Sequence, residues 1–131
     1  MGATRDIALT DLPIRGISIN AASGGAAAVT IVPSDSGVIF VNRYAATTTY
    51  TLPAVADTKG KWFWFYSDVA QTLVVTGPTG SLDVMTGGTT SAAVDADLVT
   101  LTAVIGGWGM VTSDGTNYFF FAGTGTWTAS G

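Results

Sequence analysis

The chain has 131 residues, of which 47% are apolar and only 11% charged, with a net charge of −4 and neither cysteine nor histidine. That length fits one domain, and the two missing residue types exclude a disulfide framework, a thiolate metal site and any Ser/His/Asp or Cys/His catalytic arrangement. The nine acidic residues are all Asp and the basic set is Arg5, Arg15, Arg43, Lys59 and Lys61, so there is no basic stripe to hold a nucleic-acid backbone.

At the amino terminus "MGATRDIALTDLPIRG" lacks the apolar core of a signal peptide, and no later stretch approaches the roughly 18 apolar residues of a membrane span. Gly2 opens a segment like a myristoylation site, but Asp6 stands where Ser or Thr is required. "TDLPIRGISIN" is irregular and "SGGAAA" (23–28) resembles a flexible joint, so residues 1–26 are expected to form an extended arm that settles on a neighbour. Its apolar and extended residues Leu9, Leu12, Pro13, Ile14, Ile17 and Ile19, with Arg15, are the candidate contact set.

From residue 27 to 131 the sequence predicts a single β-domain. There is no Glu and no long segment with apolar residues at helical spacing. Short β-like runs recur instead: "AVTIV" (28–32), "GVIFVN" (37–42), "TTYTL" (48–52), "KWFWFYS" (61–67), "QTLVVTG" (71–77), "LVTLTA" (98–103), "WGMVTS" (108–113) and "NYFFFAG" (117–123). Their spacing predicts an antiparallel β-sandwich or barrel. "PSDSG" (33–37) and "SDGT" (113–116) carry hairpin chemistry, "GPTG" (77–80) a turn, and "MTGGTTSAAVDAD" (85–97) a surface loop. No internal repeat or heptad pattern is evident.

The aromatic strands raise the main question. In an extended chain Trp62, Trp64 and Tyr66 share one face and Phe63 and Phe65 the other; Tyr118 and Phe120 likewise oppose Phe119 and Phe121. A continuous apolar run is the pattern of a strand covered on both sides, so these nine residues belong to the core or to a subunit interface. Alternation alone does not assign the faces. A second use of aromatics is to stack on sugar rings, for which Trp62, Trp64, Tyr66, Trp108, Tyr118 and Trp127 would be the platform, although their neighbours are Val, Phe, Gly and Thr rather than the polar groups such sites employ.

Catalytic and metal chemistry find little support. Lys59 and Lys61 flank Gly60 in an expected loop, and no spacing among the Asp residues nominates a hydrolytic pair. Asp95 and Asp97 could offer two oxygen ligands to calcium, but no EF-hand order follows. No catalytic residue, metal or cofactor is expected.

The run "GVIFVNRYAATTTYTLPAVADTKGKWFWFYSD", then "QTLVVTGPTGSL" and "VTSDGTNYFFFAGTGTW", resembles a pattern of tailed-bacteriophage structural proteins over residues 37–127. It is similar both to small capsid decoration (cement) proteins and to β-domains of head and tail fibres. The resemblance implies a non-enzymatic virion protein, made in the host cytoplasm, that forms a homotrimer on the outer capsid surface and fastens the major capsid protein through its arm. A chain that begins at Met1 without a shaft favours the decoration form; the alternative is a fibre domain that binds a host surface glycan. The five-aromatic strand is denser than the family pattern.

Overall fold

The period of two in the aromatic runs governs the architecture. In the computed structural model, which describes residues 14–85 and 93–131, the strands are β1 (Gly16–Asn20), β2 (Ala28–Thr30), β3 (Val38–Asn42), β4 (Thr48–Thr51), β5 (Trp62–Ser67), β6 (Leu73–Thr76), β7 (Leu82–Met85), β8 (Ala93–Ala96), β9 (Leu98–Leu101), β10 (Trp108–Ser113), β11 (Tyr118–Ala122) and β12 (Trp127–Ser130), with single 3₁₀ turns at Pro33–Asp35 and Val55–Asp57. They form an all-β sandwich of a seven-stranded sheet, ordered β1-β3-β5-β10-β11-β7-β8, and a five-stranded sheet, ordered β12-β9-β6-β4-β2.

The eight expected strands are all present, but the pairing is mixed rather than antiparallel. From β1 to β6 the chain alternates between the sheets, and each strand pairs in parallel with the strand two places away. Residues 16–76 therefore wind as three stacked coils, which β9 to β12 close with antiparallel partners. "PSDSG" is accordingly a corner between sheets, not a hairpin: a 3₁₀ turn takes the place of paired positive-φ residues, the Asp35 carboxylate accepts the Val32 N–H at 3.0 Å, and Gly37 alone enters the left-handed region at φ 88°. "SDGT" is the hairpin expected, between β10 and β11. There the Asp114 carboxylate accepts from the backbone N–H groups of Asn117 and Thr116, both at 2.8 Å, and these bonds hold its carboxyl below the usual range.

The expected arm also needs correction. Gly16–Asn20 is the edge strand of the larger sheet, in parallel register with Val38–Asn42, because Ile17 and Ile19 alternate with Ser18 and Asn20 in a strand pattern once the Pro13 and Gly16 punctuation is passed. Residue 26 lies in the crossing from β1 in the larger sheet to β2 in the smaller, inside the domain and not at its start. Residues 93–96 of the expected surface loop likewise form β8.

The core lies between the sheets. Phe40, Phe63, Phe65, Leu82, Val84, Val111 and Phe120 point inward from the larger sheet, and Tyr50, Leu73, Val75, Val99, Leu101 and Trp127 from the smaller, all essentially buried. Phe40, Tyr50 and Phe65 form a ring triangle with centroids 5.4–5.8 Å apart, and Phe120 packs on Trp127 at 4.8 Å. At the corner after β1, β3 and β5 the inward position turns polar. Asn20, Asn42 and Ser67 are in register, and Asn20 Nδ2 donates to Asn42 Oδ1 at 2.9 Å while its Oδ1 accepts the Ala26 N–H at 2.8 Å. Asn20 and Ser67 satisfy backbone groups where the chain leaves the ladder, Ser67 Oγ donating to Val69 O at 2.8 Å, whereas Asn42 Nδ2 is buried without a partner.

Two stability predictions follow from this packing. A Cβ at Gly109 would stand 2.5 Å from Phe120 Cζ and 3.2 Å from Trp127, so Gly109→Ala is expected to lower unfolding stability by about 1–3 kcal/mol in urea denaturation; an unchanged midpoint would contradict the packing. Burial pushes the Tyr50 hydroxyl up to about 12, the neighbouring Asn20 amide offsetting only part of the desolvation. Because the folded state holds this proton above the unfolded value, the associated stability is intact below about pH 10 and is lost as pH rises toward 12. Tyr50→Phe is expected to flatten that alkaline decline, leaving the smaller part due to Tyr118, also raised by burial.

Candidate functional site

With the core side of β5 assigned, the other side becomes the feature to explain. Phe63 and Phe65 are fully buried, whereas Trp62, Trp64 and Tyr66 project from the outer face of the seven-stranded sheet. β11 divides the same way, with Tyr118 and Phe120 inside, Phe119 partly covered outside, and Phe121 42% exposed. All nine aromatic candidates are thereby placed, four in the core and five on one outer surface.

Strand register arranges that surface in rows. The central row runs Ile17–Ile39–Trp64–Met110–Phe121–Met85 across six strands without a polar side chain. Beside it lie Ile19–Val41–Tyr66–Trp108 on one flank and Trp62–Thr112–Phe119–Asp83 on the other. The Trp64 and Trp108 indoles stack with centroids 4.9 Å apart, and Trp62 meets Trp64 edge-on at 6.4 Å. Between them is a groove of about 370 Å³ lined by Ile14, Trp62, Trp64, Met110 and Thr112. An apolar face of this extent is uncommon on a monomer, and it is bordered past β3 and β5 by the exposed Arg43–Asp68 ion pair at 2.7 Å.

The arm residues within the described chain join this face. Ile14 lines the groove, Ile17 and Ile19 are 64% and 51% exposed, and the Arg15 guanidinium donates to Ser34 O at 3.1 Å and Ser36 O at 3.5 Å. Leu9, Leu12 and Pro13 lie outside the described residues. Sequence reasoning missed Ile39, Val41, Met85 and Met110 as surface residues; their signal was the alternation within their strands, which needs the inward phase of β5 to be interpreted.

Two of the six residues of the expected sugar platform are in the core. Trp127 is buried, its Nε1 donating to Trp108 O at 3.1 Å, and Tyr118 is buried with its hydroxyl donating to Pro53 O at 2.7 Å. The calcium reading also weakens: Asp97 Oδ1 accepts the Gly80 N–H at 2.6 Å, and no group of three metal-ligating side chains occurs among the described residues. Lys59 and Lys61 flank the positive-φ Gly60 in a turn, as expected. No helix among the described residues is long and apolar enough to cross a membrane. No protein-family model, curated protein or solved structure matches the chain.

The stacked indoles depend on Gly123, where a Cβ would fall within the Trp108 ring. Gly123→Ala is expected to displace Trp108, abolishing the near-ultraviolet circular dichroism of the Trp64–Trp108 pair with a far-ultraviolet spectrum unchanged; retention of the signal would show that the stack does not rely on that glycine.

Proposed function

We propose that this chain is a non-enzymatic structural protein of a bacteriophage particle, a decoration protein that trimerises on the outer surface of an icosahedral head and stabilises contacts between major capsid subunits. The observation that carries the reading is the apolar outer face of the larger sheet, over which no other element packs among the described residues. Burying aromatic surface contributes about 25 cal/mol per Å², so the face favours association with another protein surface over exposure to water. The resemblance of residues 37–127 to phage structural proteins supplies the setting. Function then needs no chemical step: a trimer that binds only the assembled shell stabilises it by mass action.

A glycan-binding fibre domain is the competing reading. It is disfavoured by the pairing of Trp64 with Trp108, which uses the ring faces on each other, and by Thr112 as the only hydroxyl or charged residue lining the groove among the described residues.

Light scattering is expected to give the mass of three chains, and sedimentation with undecorated heads is expected to carry the protein down at fixed stoichiometry. Removal of residues 1–13, which leaves β1 in place, is expected to abolish co-sedimentation while preserving the trimer. Protein that remains in the supernatant at all head concentrations would overturn the decoration reading, and undiminished binding of the truncated chain would remove the capsid-contact role from Leu9, Leu12 and Pro13.

A further inference from the structure

The two ends of the outer face differ in a way that suggests how copies meet. Extending the flank row beyond Trp62 by the β1 and β3 registers brings it through Gly37 to Arg15, so the row begins with a cation beside β1 and ends with the anion Asp83 on β7. Among the described residues neither is in an ion pair. The halves also differ in shape: the β1–β3 side carries Ile17, Ile39 and the glycine at 37, whereas the β11–β7 side carries Phe119, the projecting Phe121 and Met85.

We infer that copies of the chain associate through the β1–β3 half of one outer face against the β11–β7 half of the next, Arg15 opposite Asp83, closing on a threefold axis near Trp64 and Met110. The inference rests on the trimeric reading above and adds which surfaces meet. Unlike patches that meet head to tail generate a closed ring when the rotation closes. Opposite charges at the two ends of one row favour that contact and disfavour β1 against β1. Phe121 is the projecting side chain of the β11–β7 half, and with β7 against β1 it lies opposite Ile39 of the next copy, where the contact would bury it.

The area favours closure over an isolated pair. Six strands about 4.8 Å apart and three rows of side chains cover a flat footprint of about 500 Å², which each copy divides between two neighbours, so each contact is at the small end of the interface scale and closing the ring engages the whole face. The Arg43–Asp68 pair at the border supplies the polar rim that such interfaces carry.

The test uses charge exchange and engineered disulfides in the full chain, which has no cysteine of its own. Arg15→Asp and Asp83→Arg are each expected to raise the concentration at which the trimer dissociates by at least about tenfold, and the double variant to restore it. Asp83→Asn, which retains an acceptor for the Asp95 N–H, controls for local disturbance of β8. A chain carrying Ile17→Cys and Met85→Cys is expected to oxidise to a covalent product that ends at three chains. A trimer without charge rescue or cross-links would leave the trimeric reading standing and place its interface elsewhere. Cross-links that end at two chains would replace threefold closure by a twofold, face-to-face packing, and a monomer at every concentration would overturn both readings.

Discussion

The pleat of β5 is the constraint on which the rest depends. Because it pairs with β3 on one side and β10 on the other, its phase is shared along the larger sheet, and placing Phe63 and Phe65 inward obliges Trp62, Trp64 and Tyr66 to face out. A slip of one residue would exchange two phenylalanines for two tryptophans in a core already closed by Phe40, Tyr50 and Phe120. The core volume thus sets the phase, and the phase creates the external aromatic face. Fold and candidate function have the same origin.

The stacked coils explain why that face is continuous. In parallel register equivalent positions of successive coils lie side by side, so isoleucines 17 and 39 extend the row that Trp64 begins. The same registration aligns Asn20, Asn42 and Ser67 at the corner. Outward apolar rows and an inward polar column are two products of one winding.

The sequence made the strand-forming runs legible wherever β-branched or aromatic residues were dense. β1, β7, β8 and β12 escaped because polar or small residues, such as Asp83 in "LDVM" and the alanines of "AVDA", dilute their β-branched and aromatic pattern. Pairing direction was not legible at all, since alternation reports facing and not neighbours, and "PSDSG" suits a sheet-to-sheet corner as well as a hairpin. For the candidate surface, the residue set around β5 and β11 was visible as an excess of aromatics. Its division between inside and outside required the three-dimensional phase, because both faces of "WFWFY" are equally apolar.

The strand order also bears on biosynthesis. β5 is central in its sheet, yet its partner β10 follows more than forty residues later, and the hairpin β10–β11 then fills the space between β5 and β7. While the chain emerges, the three coils present β5 as an open edge, with five aromatics and no strand to cap it. The most adhesive segment is therefore the one that waits longest for its neighbour. Pauses in translation between residues 67 and 108 would lengthen that wait, and the nascent chain would be most vulnerable to misassociation with other copies on the same message there.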